Sequence, residues 1–450
     1  MAGGTFDKSV GKIRPGTYIN FVSSEQDIIS GSDRGTVLIP LANTDWGPAG
    51  KLITITAAAP DSAFAELGYS VTDDDTSGNM LLIREAFKGA STVIVGICAE
   101  GSAAAQGTGG GLKGVAKYKG TRGNKLKYSV VANPAAGFDV GVYLDGNTVE
   151  NFTGITTAAD LADSKFITFT AQGESGISAV AAVTLSGGTN NTTTNAGVAD
   201  FLALAENAAW NVLAFPFSDS SLQAAAKAKI RYLRENVGKT VQAVCPSFSA
   251  DYEGIINVTN GYELEDRELT AAQATAYVAG ITAGATSAES NTYKAVSGAV
   301  AVTSPKTHEQ AELAIKNGEF FFSVSDTGTV VVETDINSLT TFTATKSKNY
   351  SKNKIIRVFD TFAELVKANF PPNRFDNNED GWIVMESIGK TILKQLSPRS
   401  DGGNGAITNI DYDNDFLVDR ENSHGDETFF NVAIQPVDSA EKLYFTVTTR

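Results

Sequence analysis

Short, β-branched apolar runs recur along the first hundred residues: "TVLIPL" (36–41), "KLITIT" (51–56) and "TVIVGI" (92–97). Between the second and third lies "SGNMLLIREAFKG" (77–89), whose apolar positions follow a helical period. The alternation resumes after residue 195. There "VADFLALAENAAW" (198–210) predicts a helix, "NVLAFPF" (211–217) a strand, "SLQAAAKAKIRYLRENVG" (221–238) a helix and "TVQAVCPSF" (240–248) a strand. Two capping boxes, Thr270 with Gln273 and Thr307 with Gln310, mark the starts of further helices. Strands alternating with helices of this length predict an α/β layer with a largely parallel sheet.

The texture differs between these halves. "LKYSVVAN" (126–133), "FDVGVYLDGNTVENF" (138–152), "KFITFTA" (165–171) and "AAVTLSGG" (181–188) alternate strand with turn, and Asp145-Gly146 is a hairpin signal. This predicts an inserted antiparallel β domain, entered through the glycine-rich "GTGGGLKG" (107–114), which reads as a flexible crossing. Beyond residue 340 a basic run, Lys346, Lys348, Lys352, Lys354 and Arg357, reads first as a solvated linker. A helix is predicted from a Thr361–Glu364 capping box to the Pro371-Pro372 stop, a second over "GWIVMESIGKTILKQL" (381–396), and strands afterwards.

The two ends carry strand patterns with no neighbouring hairpin. Near the start, Thr17, Tyr18, Ile19, Asn20 and Phe21 follow a Pro-Gly turn. Near the end, Leu443, Phe445 and Val447 alternate with Tyr444, Thr446 and Thr448. Such strands must be paired by an earlier part of the same fold or by another molecule.

With 450 residues, two to four domains are expected. Forty-three glycines and 19 % charged residues fit many turns and short strands. The formal charge of −15 argues against nucleic acid or an anionic membrane as partner. The opening "MAGGTFDKSVGKIRPG" has no apolar signal region and no long apolar span occurs, so neither secretion by signal peptide nor membrane insertion is expected. Cys98 and Cys245 each end an apolar run and read as small buried residues.

Catalytic and metal motifs are incomplete. The two histidines, His308 at a helix start and His424 in "ENSHGDE", stand in no nucleophilic arrangement. "GKT" at 238–240 and 389–391 lacks the upstream glycine of a phosphate loop. Asp376, Asn378 and Asp380 begin a calcium-loop pattern that Ser387 fails to close, and Asp411, Asp413 and Asp415 meet Phe416 where a glycine is needed. Both are read as turns, so no cofactor, metal or catalytic residue is assigned.

The ordered segments "LSGGTN" (185–190), "NVLAFPF", "TAAQATAYVAGITAGATSAESNTYKAVSGA" (270–299), "VVVETDINSLTTF" (330–342), "NKIIRVFDTF" (353–362) and "VAIQPVDSAEKLYFTV" (432–447) resemble the tail sheath proteins of contractile bacteriophages and phage-tail-like bacteriocins. The opening "MAGGTF…RPGTYINF" looks like sheaths from Gram-positive hosts. The resemblance implies a structural, non-enzymatic subunit that polymerises helically around an inner tube and contracts to drive it through a bacterial envelope. Expected partners are further copies of the chain, the inner tube protein, and baseplate and tail terminator proteins. Assembly is expected in the host cytoplasm.

It also implies exchange of terminal strands between subunits, with Tyr18, Ile19, Phe21, Leu443, Tyr444, Phe445 and Val447 as the expected participants. Lys390 and Lys394, one helical turn apart, and Arg399 are candidates for the tube-facing surface. The expected architecture is α/β plus β and multidomain: an extended arm (1–22), a discontinuous α/β domain (23–105 and 187–343), an inserted antiparallel β domain (106–186), and an α+β C-terminal domain (344–450) ending in an exchanged strand. Residues 341–450 carry a net −3 against −12 for residues 1–340, which suits a milder tube-facing part. The rival readings are a tail tube or adhesin-like component with a carbohydrate-binding β domain, and a hydrolase built on Asp pairs such as Asp411 and Asp413.

Overall fold

A computed structural model describes residues 2–4, 16–18, 35–173 and 176–449. Its centre is a seven-stranded sheet in the order Glu319–Phe320, Ile255–Val258, Gln242–Pro246, Val212–Ala214, Thr36–Leu41, Thr92–Ile97, Leu52–Thr56. All neighbours run parallel except the last pair. The inner strands are apolar on both faces because helices cover both, whereas the edge strand Leu52–Thr56 alternates buried with exposed. Helices α1 (Asn79–Phe87) and α4 (Ala271–Gly284) pack on the face bearing Val37, Ile39, Val93 and Val244. Helices α2 (Asn195–Leu204) and α3 (Ser220–Tyr232) pack on the opposite face, with Leu38, Ile94, Leu213 and the buried thiols Cys98 and Cys245. Both expected capping boxes form, at α4 and at α5 (His308–Lys316).

Residues 106–184 build two antiparallel sheets, one ordered Asn147–Ile155, Phe138–Leu144, Leu126–Ala132, Val180–Thr184 and the other Ile167–Ala171, Leu112–Ala116, Gln106–Gly109. They share a core of Leu112, Tyr128, Val140 and Phe169, which Trp46 of the α/β layer joins. The glycine-rich segment is not a flexible crossing. Gly110 and Gly111, at φ of +63° and +75°, form the two-residue turn joining Gln106–Gly109 to Leu112–Ala116, a conformation that side chains resist. Asp145-Gly146 makes the expected hairpin turn at φ of +51° and +87°.

Two helices dominate the last hundred residues, α6 (Asn353–Asn369) and α7 (Glu379–Leu396). The expected Thr361–Glu364 cap is overturned: α6 begins eight residues earlier, after Lys352, and Thr361 lies mid-helix. Its apolar period, Ile355, Val358, Phe362, Leu365, runs straight through Thr361, and the Glu364 carboxylate instead accepts the Thr240 hydroxyl. The stop before Pro371 holds. Asn378 caps α7 by accepting from the Gly381 amide, so the calcium-like pattern is a helix start. At the other end, Gly16–Tyr18 pairs in parallel with Ala2–Gly4. Ile19 and Phe21 lie outside the described residues.

One buried polar pair ties α1 to the sheet surroundings. The Glu85 carboxylate accepts the Tyr262 hydroxyl and meets Lys88 Nζ at 2.8 Å. Replacing Tyr262 by Phe leaves a buried carboxylate short of a donor; urea unfolding is expected to register a loss of about 1–3 kcal/mol.

Candidate assembly interface

The chain leaves its C-terminal fold in two stages. Phe430–Val432 pairs antiparallel with Phe416–Val418, and Gln435–Pro436 with Ile407–Thr408. The last backbone bond of this region runs from Val437 N–H to Ala406 O at 2.9 Å. Next, side chains tether the peptide to the start of α6: Ser439 Oγ accepts from Lys354 Nζ at 3.3 Å, and the Glu441 carboxylate accepts from Thr292 Oγ1 at 2.8 Å and pairs with Lys352. After Glu441 the chain makes no strand pairing among the described residues. Leu443, Tyr444, Phe445 and Val447 are 68 %, 89 %, 83 % and 86 % exposed. An alternating strand pattern is therefore present in sequence and unpaired among the described residues.

The tether rests on a buried ionic centre. Asp335 Oδ2 accepts from Arg357 Nη2 at 2.7 Å and from the Asn291 amide at 2.9 Å, while Oδ1 accepts from Asn353 Nδ2 at 2.9 Å. Burial pushes the Asp335 carboxyl up, but the adjacent guanidinium and these donors outweigh it, holding the group below its ordinary value. The Asp335 amide donates to Thr292 Oγ1 at 2.9 Å, the same hydroxyl that donates to Glu441, so the tail tether touches the ion pair through one side chain. Arg357 Nε and Nη1 are buried without a partner among the described residues. Most of the basic run is thus not a solvated linker, although Lys348 is exposed. Lys352 immediately precedes α6 and Lys354 and Arg357 lie in its first turns, as interior or tethering cations, and Lys346 pairs with Glu253. A second clamp, Arg234 to Asp360 at 2.8 and 3.0 Å in bidentate geometry, fixes α6 to the end of α3.

Helix α7 supports the small hairpin from below. At Gly389 an added Cβ would lie 2.0 Å from the Phe416 ring, so only glycine permits this approach. Phe416, Phe430 and Phe370 stack around that contact, with ring centroids 5.5–5.9 Å apart. Of the tube-facing candidates, Lys394 and Arg399 are exposed at the C-terminal end of α7, while Lys390 meets Asp413 at 3.1 Å. The outer face of α7 also exposes Ile383 and Val384. Tyr18 ends the short N-terminal strand. Sequence reasoning missed Asp335, Glu441 and Gly389, and placed Arg357 in a solvated run. The available signal was an Asp within "VVVETDINSL" and an Arg within "KIIRVF", charges set in apolar runs.

Four family profiles match in order along the chain: the tail sheath protein Gp18 domain III N-terminal region at 34–96, the phage tail sheath protein beta-sandwich domain at 99–191, the central domain at 191–338 and the C-terminal domain at 345–450. The chain is 36 % identical to the phage-like element PBSX protein XkdK of Bacillus subtilis over 99 % of both chains. It is 36 % identical to the crystal structure of a sheath tail protein from Desulfitobacterium hafniense, covering 96 % of this chain and 99 % of that one at a TM-score of 0.78. The fold extends, at 14 % identity and a TM-score of 0.56 over 98 % of this chain and 100 % of that one, to the anti-feeding prophage helical sheath in its contracted state.

Two outcomes follow from the buried centre. Arg357→Ala strands the Asp335 carboxylate, and chemical denaturation is expected to show a loss of about 3–5 kcal/mol. Because the folded-state pKa of Asp335 is depressed, its contribution is complete above the ordinary aspartate value of ~4 and drains away as pH falls below it. The stability gap between wild type and Asp335→Asn should be flat near neutrality and narrow on acidification.

Proposed function

The chain belongs to the contractile phage tail sheath family and is a structural subunit of such a sheath; from that premise we propose that its copies are joined by exchanged β-strands. The observation that carries this reading is the exposed alternation of Leu443, Phe445 and Val447 beyond a fixed tether at Glu441, unpaired among the described residues. Segment 442–449 enters the C-terminal sheet of a second copy. An N-terminal arm reaching from the Tyr18 region, with Ile19 and Phe21, joins a further one. About five new backbone bonds at roughly 0.5–1.5 kcal/mol each, plus burial of three apolar side chains at roughly 1.5–3 kcal/mol each, make a joint that outlasts rearrangement of weaker contacts.

The sheath surrounds an inner tube and ends on baseplate and tail terminator proteins, and the particle is assembled in the host cytoplasm. We assign the tube-facing surface to the exposed end of α7, with Lys394 and Arg399 as cations and Lys390 behind them. Attractions of this kind are individually weak and screened, so they release in sequence when the sheath contracts. The role is mechanical, without catalysis, nucleic-acid binding or membrane insertion.

Removing residues 442–450 while keeping Glu441 is expected to leave a folded monomer, by circular dichroism and thermal midpoint, that forms no helical polymers under the electron microscope. Normal polymers would overturn the exchange reading. Lys394→Glu combined with Arg399→Glu should reduce co-sedimentation with purified tubes at low salt, the deficit closing towards about 1 M, where screening is nearly complete.

A further inference from the structure

Among the described residues, eight that are not glycine have a backbone φ in the left-handed region. Seven of them are Asn, Asp or Ser, whose short polar side chains bond nearby backbone and so tolerate that conformation. The eighth is Tyr293, at +61°, the only bulky residue of the set. Its surroundings impose the strain. Lys294 N–H donates to Asn291 O at 3.1 Å, closing a four-residue turn in which Tyr293 holds the third position, where a positive φ ordinarily calls for Gly or Asn. The Asn291 amide is bonded to Asp335 Oδ2, Thr292 Oγ1 takes the Asp335 amide, and the Tyr293 amide donates to Val332 O at 2.8 Å. The turn is thus clamped by the buried ionic centre on one side and by Val332 on the other.

The ring that carries this strain serves no contact inside the subunit. Its residue is 63 % exposed. Among the described residues its hydroxyl has no hydrogen-bond partner, no other aromatic ring lies against it, and it packs into none of the hydrophobic cores. Asparagine or glycine would make the same turn without the steric cost and without turning an aromatic face to water. Backbone strain that the surrounding bonds over-determine, spent on a side chain idle within its own fold, points to work done outside it.

We propose that Tyr293 is a side-chain anchor for a second copy of the chain, its ring seated in an apolar recess of the neighbouring subunit. As a sheath subunit the chain meets further copies of itself, which makes a copy the first candidate for an outward-facing ring. The position agrees. Thr292, the residue before, holds Glu441, so Tyr293 stands beside the point where the tail leaves the subunit. The subunit's own tail does not cover the ring, since both Tyr293 and the residues from Leu443 onward are exposed. Tyrosine suits the task because a rigid ring brings a large apolar area with a polar tip, and such residues dominate the energetic centres of interfaces. The assignment is independent of which sheet pairs the tails.

Hydroxyl-radical footprinting of the full-length chain, as monomer and as polymer free of tube protein, reads the ring directly. Tyr293 labelling should fall several-fold on polymerisation and should not change in a monomer lacking residues 442–450. Equal labelling of monomer and polymer overturns the proposal; so does a rise on deleting the tail, which would make the subunit's own tail the cover. Substitution supplies the opposed signs that a strained anchor requires. In Tyr293→Asn the monomer's thermal midpoint should hold or rise, because asparagine accepts the positive φ, while the concentration at which polymers appear rises at least ~10-fold. Tyr293→Phe keeps both ring and strain and should polymerise close to the wild-type concentration. Wild-type polymerisation by Tyr293→Asn sinks the assignment, and a lowered midpoint in both Tyr293→Asn and Tyr293→Gly would make the ring a structural element of the subunit instead.

Discussion

A strand that is to be paired by another molecule must stay unpaired until that molecule arrives, and on the proposed exchange this requirement organises the C-terminal third of the subunit. In water the exposed donors and acceptors of such a strand are hydrated, so leaving them open costs little; the cost arises only if they are buried without partners. The hazard is indiscriminate pairing, since an open alternating strand and an open sheet edge on the same molecule attract any β-segment nearby. The fold restrains both. Lys352 and Thr292 fix where the tail departs, and the Glu386 carboxylate, paired with Arg420, takes up the Val418 amide at one strand edge.

What surrounds the tail is stiff. Helix α6 is locked to the α/β layer by the bidentate Arg234–Asp360 pair, by Glu364 on Thr240 and by Arg357 on Asp335. A buried pair of the last kind adds little net stability compared with apolar packing, but it fixes geometry because breaking it strands a charge. Among the described residues the peptide after Glu441 has no such anchors. If subunits reorient as rigid bodies, as switching assemblies commonly do, the bending belongs in that peptide and not between α6 and the sheet.

Much of this was legible in local sequence. The inner strands announce themselves as unbroken β-branched runs because helices cover both faces, and the capping boxes at Thr270 and Thr307 form because each needs only residues three apart. Misreadings came where a local signal met a stronger distant one. Thr361 and Glu364 have the spacing of a cap, but the apolar stripe of α6 packs across them and Glu364 finds Thr240, distant in sequence. "GTGGGLKG" reads as a loop by glycine content, although only two of its glycines turn and the others are strand positions flanked by alternating residues. Lys352 and Arg357 look like a solvated run until Asp335 and Glu441 are placed against them. Nothing within a few residues of any of these positions specifies its partner.

On the proposed exchange, the same logic explains why the tail tether is polar while segment 442–449 is apolar and alternating. Glu441 is held by a lysine and a hydroxyl, contacts worth little each and easily remade, so the departure point tolerates strain. Segment 442–449 instead offers backbone bonds in parallel with side-chain burial, and a ladder of that kind yields only if several rungs open together. Graded in this way, load on the lattice is taken up first at the tether and in the peptide beside it. If copies are joined by this segment as proposed, the connection between them is then the last element to give, which is what a sheath requires if it is to change shape while remaining one polymer.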